Sequence, residues 1–249
     1  MEERNQFNSI LDAVAQEKTM AKSFMANVFS YMFLGLMLTG FISWYFGTQI
    51  SDPADSGRIS TYLFDRQTGS PTALYYIAAF APLGFVLIMG MGYKRLSASA
   101  MLVLFLAFAT LMGVSLSTIF VTYSMGDVST AFFSASSVFA VMAVVGYTTT
   151  TDLTKLGNIL YMGLIAILIA MVINFFMQSS MMSYVISVIG VIIFTGLTAY
   201  DVQKLKRIGE GAEIGTASTR KRAIYGALDL YLDFINLFLF LLRLIGGRD

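Results

Sequence analysis

Residues 159 to 176 read ILYMGLIAILIAMVINFF. A transmembrane barrel strand alternates apolar and polar positions over about ten residues, and this run neither alternates nor stops there. It is a helix by pattern and length, because about 20 residues at 1.5 Å each cross the ~30 Å of hydrocarbon in a bilayer. Working outward, the same reading marks seven apolar stretches, at 24–46, 72–93, 98–123, 129–147, 157–177, 181–203 and 224–245. The fold class is therefore an all-α integral membrane protein, with seven transmembrane helices in residues 24–249 and an N-terminal segment, 1–23, ahead of them.

The chain of 249 residues is 57% hydrophobic and 12% charged, whereas a soluble domain carries about 25% charged residues. Its net charge of +1 excludes nucleic acid as a partner, since phosphate recognition needs a marked basic excess. Cysteine and histidine are both absent. Disulfides and thiolate chemistry are thereby excluded, and any response near neutral pH falls to carboxylates.

Arg4, Lys18, Lys22, Lys94, Arg95, Lys155, Lys204, Lys206, Arg207, Arg220, Lys221 and Arg222 flank alternate ends of the stretches, against Arg58 and Arg66 on the other side. The positive-inside rule then predicts a cytoplasmic N-terminus. Glu2, Glu3, Asp12 and Glu17 before the first stretch speak against a cleavable signal peptide. Phe7, Ile10, Leu11 and Val14 fall at helical spacing, so residues 5–18 read either as an amphipathic helix on the membrane surface or as a solvated helical extension. The last stretch is interrupted by Asp229 and Asp233, which leaves two readings: a crossing helix shielded by its neighbours, which is favoured, or a re-entrant one.

Asp201, Asp229 and Asp233 lie in or beside the last two apolar stretches. A charge at the middle of a bilayer costs roughly 2.5 to 3.5 kcal/mol on the insertion scale, which makes each a functional candidate. Arg243, near the far end of the last stretch, reads as reaching to the interface, and no other Lys, Arg or His falls inside these spans to neutralise them, so they are expected to hold protons, share them or meet a cation. Asp229 and Asp233 are one helical turn apart on one face. A short connection makes the last two helices antiparallel, and either aspartate can then face Asp201. Two carboxyls brought together away from water share a proton and titrate as a unit. Deprotonated, they repel and present the hard oxygens that Ca²⁺ prefers. A pH-gated cation path follows as an expectation, without selectivity for calcium. The plainer reading makes Asp229 a surface residue of a first helical turn and sets Asp201 beside Lys204. Asn174, Ser115, Ser117 and Asn236 read as hydrogen-bonding groups between helices.

The stretch Thr195-Gly196-Leu197-Thr198-Ala199-Tyr200-Asp201-Val202-Gln203 resembles the sixth-span signature of the Bax inhibitor-1 family. Ala227-Leu228-Asp229-Leu230-Tyr231-Leu232-Asp233-Phe234-Ile235-Asn236 resembles its last helix. Gly146-Tyr147 with Thr151-Asp152-Leu153-Thr154 is similar to its fourth-to-fifth connection, and Met112-Gly113-Val114-Ser115-Leu116-Ser117 to its third span. The bacterial YccA-like branch is the nearest in character, and it implies the inner (plasma) membrane as location. The resemblance implies a last helix central to the bundle. It also implies a pH-sensitive calcium leak, with Asp201 and Asp233 as the sensor and gate and as the calcium-contacting pair, and leaves Asp229 as support for the cation path. The family's arginine partner in the second span has no counterpart here between Pro71 and Lys94. Beyond Ca²⁺ as permeant ion, no cofactor is implied.

Two other functions compete with the leak. The YccA-like resemblance also implies a protein that binds and regulates a membrane-bound protease, through the basic loop 204–222 or the N-terminal helix. An intramembrane aspartyl protease would use Tyr200-Asp201, but Leu228 stands where its second motif has glycine, and no proline follows Pro82. The expectation is therefore no enzyme.

Overall fold

In the computed structural model, residues 2–51, 65, 70, 72–213 and 215–246 are described. Every element among them is a helix: α1 (Glu2–Ser51), α2 (Ala73–Gly92), α3 (Ala98–Leu116), α4 (Ile119–Thr122), α5 (Met125–Thr148), α6 (Thr154–Met177), α7 (Ser180–Glu210) and α8 (Ala217–Ile245). Among the described residues, five apolar helical stretches are long enough to cross a bilayer: Gln16–Thr48 of α1, Ala98–Thr122 spanning α3 and α4, then α5, α6 and α7. α8 is one continuous helix of 29 residues.

Three boundaries differ from the sequence reading. α1 passes through residues 23 and 24 without a break, so the N-terminal segment and the first apolar stretch share one helix. The side chains of Phe7, Ile10, Leu11 and Val14, which the amphipathic reading needs, lie outside the described residues, as do Arg58 and Arg66. The third stretch is not one helix, because α3 ends at Leu116 and the chain turns at Ser117 and Thr118 before α4. Finally, α7 runs to Glu210 and α8 starts at Ala217, so both continue into the basic segment that apolar pattern alone left as loop.

The chain divides into two compact units, Met1–Ser30 with Thr130–Asp249, and Tyr31–Ser129. In the second unit, α1 and α3 run parallel, since Thr39 meets Ala109, Ile42 meets Gly113 and Gly47 meets Phe120. The Thr39 hydroxyl donates to the Ala109 carbonyl at 2.8 Å. A side chain at Gly113 would press on Ile42 and the Thr39 carbonyl, so glycine lets the two backbones close. Met89, Met101, Phe105 and Phe108 form the buried centre of this unit. α3 begins at an N-cap, where Ser97 Oγ accepts from the Ala100 amide.

In the first unit, α6 pairs with α7, and α7 with α8. The connections are short and both pairs are antiparallel, as that shortness predicts: Gly157 meets Tyr200 and Gly163 meets Ile193, while Gly190 meets Phe240 and Gly226 meets Leu205. Asn174 closes the tight α6–α7 turn by donating to Ser183 Oγ at 2.7 Å and accepting from the Ser179 amide at 3.1 Å, with Gln178 left-handed between them. Asn174 thus bonds between helices as expected. Asn236 and Ser117 do not, because each donates to a carbonyl of its own preceding turn.

α6 leaves Ile159, Met162, Ile165, Leu168, Val172 and Phe176 exposed, a surface suited to lipid tails. α8 is the opposite case: from Ala223 to Leu242 no residue is exposed. α5 packs on α8 through rings, with Phe132 and Phe139 edge-on to Phe234 at centroid distances of 5.7 Å. Gly146 of α5 lies directly on the Ala199 backbone of α7, a contact that no side chain could share.

Candidate functional site

The antiparallel α7–α8 pair carries the buried carboxyls. Asp201 and Asp233 are both buried, at 3% and 5% exposure. Their carboxyls lie within hydrogen-bonding reach of each other across the two helices.

Two donors reach Asp201. Tyr161 Oη, from α6, donates at 3.2 Å to Oδ1 and lies 3.4 Å from Oδ2. Lys204 Nζ, one turn along α7, lies 3.5 Å from Oδ1. The same ammonium lies 3.7 Å from Asp229 Oδ2 on α8. Lys204 thus stands beside Asp201, as the plainer reading of that residue expected, and reaches Asp229 as well. Lys204 stands one position beyond the apolar stretch, but a helix places residues three apart on the same side and a four-carbon stem covers the remaining distance. Asp229 is accordingly held by an ion pair with Lys204.

Asp233 is the unsatisfied member. Its Oδ2 is the one buried side-chain nitrogen or oxygen without a hydrogen-bond partner among the described residues. A buried acceptor left unpaired costs about 1 to 3 kcal/mol, more if charged, so this oxygen calls for a proton or a cation. Among the described residues, no group of three or more His, Cys, Asp or Glu side chains is arranged to hold a metal ion. Asp201 and Asp233, expected to contact calcium, belong to no such group.

Beyond Lys204, the C-terminal part of α7 clasps the α5–α6 connection. Gln203 accepts from the Leu153 amide at 2.9 Å and donates to the Thr151 carbonyl at 2.7 Å. Lys206 donates to the Tyr147 carbonyl at 3.0 Å, with its ammonium 5.2 Å from the centre of the Tyr147 ring. Arg207 pairs with Asp152 at 3.0 Å. Asp152 also accepts from the Thr154 hydroxyl at 2.6 Å and the Thr154 amide at 3.0 Å, closing the turn into α6. The Thr154 hydroxyl first, then its amide and Arg207, hold the Asp152 carboxyl down at about 2. These contacts fix the backbone on which Asp201 rides.

Tyr161 and the bridging role of Lys204 escaped the sequence reading. The only signal for Tyr161 is a phenol within an otherwise apolar run, and its ring sits edge-on to Tyr200 at 5.9 Å.

Fold and site define a multi-pass helical membrane protein with a buried cluster of carboxyls. The family described as Inhibitor of apoptosis-promoting Bax1 matches residues 21–249. The chain belongs to the Bax inhibitor-1 family. It is 38% identical to the inner membrane protein YbhL of Escherichia coli, over 95% of this chain and 97% of that one. It is 39% identical to the protein RP147 of Rickettsia prowazekii, over 97% and 98%. A membrane protein of Streptococcus pyogenes is 37% identical, over 91% and 93%. All three are bacterial, in keeping with the branch that the motifs resemble.

Proposed function

We propose that this chain is a pH-sensitive calcium leak channel of the bacterial inner (plasma) membrane, gated by a proton shared between Asp201 and Asp233, and that it is not an enzyme. In this reading α2 and α8 complete seven spans, α8 lies innermost, and the N-terminus is cytoplasmic. The observation that carries the reading is the buried Asp201–Asp233 contact with its unpartnered oxygen. A proton on either carboxyl supplies a donor and ties α7 to α8. Without it two negative charges face each other out of reach of bulk water, and separation of the helices or arrival of a cation relieves them. Ca²⁺ is the hard divalent ion suited to such oxygens. The inner-membrane location is supported by the printed name of YbhL, and the innermost α8 by its lack of exposed residues between Ala223 and Leu242.

The test is calcium flux into dye-loaded liposomes between about pH 6 and 8, with wild type, Asp201→Asn and Asp233→Asn. Wild-type flux is expected to rise as the shared proton leaves, and each Asn variant to lose that dependence. Flux indifferent to pH and to both substitutions overturns the leak.

A second reading, docking of a membrane-bound protease without ion conduction, is supported by Arg220 and Arg222, which stay exposed at the start of α8. Lys204, Lys206 and Arg207 are engaged within the chain, which narrows the docking surface to residues after 207. Charge reversal at Arg220 and Arg222 would then abolish co-purification of the protease and leave liposome flux unchanged.

A further inference from the structure

The geometry points to Lys204 as a tethered counter-ion that occupies the place of a diffusible cation between Asp201 and Asp229. This rests on the leak reading for its consequence, although the contact itself does not. The Lys204 side chain is 39% exposed, that of Asp229 24% and that of Asp201 5%. The Lys204 side chain is thus the most exposed of the three, with its ammonium set between the two carboxyls. One turn beyond Asp229 along α8 lies the buried Asp233, with its unpartnered oxygen, and from α6 the Tyr161 hydroxyl donates to the Asp201 carboxyl.

Lys204 holds these oxygens loosely. Its distances of 3.5 and 3.7 Å exceed the roughly 2.7 to 2.9 Å of a tight charge-assisted hydrogen bond. A calcium ion needs the same oxygens at about 2.3 to 2.6 Å, and two cations cannot occupy that space together. While Lys204 stays, the carboxyls are neutralised from within and α7 is tied to α8. When it swings toward water along its flexible stem, they are free for a divalent ion. Lys204 is a positioning and specificity residue in this scheme, setting how readily an ion enters.

The experiment is thermal unfolding of the full-length protein in detergent, titrated with CaCl₂. Lys204→Gln is expected to bind Ca²⁺ about tenfold more tightly than wild type, read from the midpoint shift. Lys204→Arg, which keeps the charge, is expected to behave as wild type, and adding Asp229→Asn to Lys204→Gln to abolish the gain. Lys204→Met, similar in volume and uncharged, replaces Gln if that variant does not fold. Equal Ca²⁺ affinity in wild type and the neutral variant overturns the inference. In liposomes the neutral variant is expected to leak more than wild type. If wild type responds to Asp201→Asn and Asp233→Asn but not to loss of the Lys204 charge, the inference fails alone. If flux ignores the aspartates while the neutral variant gains Ca²⁺ affinity, the leak fails and the counter-ion stands.

Discussion

A carboxyl buried beside a bilayer is stable only as well as its donors are placed, and Tyr161 shows what one donor contributes. Its hydroxyl comes from α6, the helix whose other large side chains face mostly outward. Tyr161→Phe keeps the ring contact with Tyr200 and removes only the hydroxyl. Hydrogen bonds between membrane helices average about 0.6 kcal/mol and reach ~1.7 kcal/mol, so a loss of that size is expected in unfolding by denaturant in micelles. A value near zero would mean that water replaces the phenol. Asp152 gives a second prediction at this scale, outside the membrane. Its carboxyl is held below the ordinary value of about 3.9, down to about 2. A lowered carboxyl stabilises the folded form fully above the unfolded value, and that contribution is lost as pH falls through the folded one. The wild type should therefore outlast Asp152→Asn in thermal unfolding above about pH 4 and converge on it toward about pH 2. A difference that instead grew on acidification would reverse the sign and discard the clasp as its cause.

Helices here are positioned by where their backbones can approach. Gly146 lies against the Ala199 backbone, two residues before Asp201, so a side chain there pushes directly on the segment carrying the carboxyl. Overpacking of this kind costs about 1 to 3 kcal/mol. Gly146→Ala is expected to lower the thermal midpoint and to change flux without touching an ionisable group. Gly126, which would meet only Ser124 Oγ at 3.6 Å, serves as the control. The elements themselves were largely legible in the sequence, because apolar runs of bilayer length are a strong helix signal. The exceptions have local causes. The turn at Ser117 and Thr118 is closed by hydroxyls donating to Val114 and Ser115 carbonyls, which hydropathy does not register. The extensions of α7 and α8 are polar: Lys206 and Arg207 hold the first to the end of α5 and the α5–α6 connection, and a Thr216 cap, accepting from the Thr219 amide, starts the second.

For the whole molecule, the open matter is how many times the chain crosses. Five helical stretches qualify by length and apolarity. α8 is continuous, and Phe238 near its end pairs with Phe132, seven residues into α5. A crossing α8 puts the C-terminus on the opposite side from the α5–α6 connection. The absence of native cysteine makes the test direct: single cysteines at Gly247 and Thr149 should react with an impermeant maleimide from opposite faces of the membrane. Labelling of both from one face would make α8 re-entrant and remove the seven-span arrangement.

The sequence by itself determined that this is a helical membrane protein, which residues break the apolar pattern, and the family to which the motifs belong. Each is a property of composition, period and local order along the chain, and survives without coordinates. Tertiary structure alone decided the partners. One-dimensional spacing left Asp229 and Asp233 equivalent on one face of a helix, and it set Lys204 outside the span. Packing of α7 against α8 sets the Lys204 ammonium between Asp201 and Asp229, while α6 supplies the Tyr161 hydroxyl to Asp201 from 40 residues away. Distance along the chain does not encode distance across a helix interface, and the proton and cation chemistry of these carboxyls depends on the second.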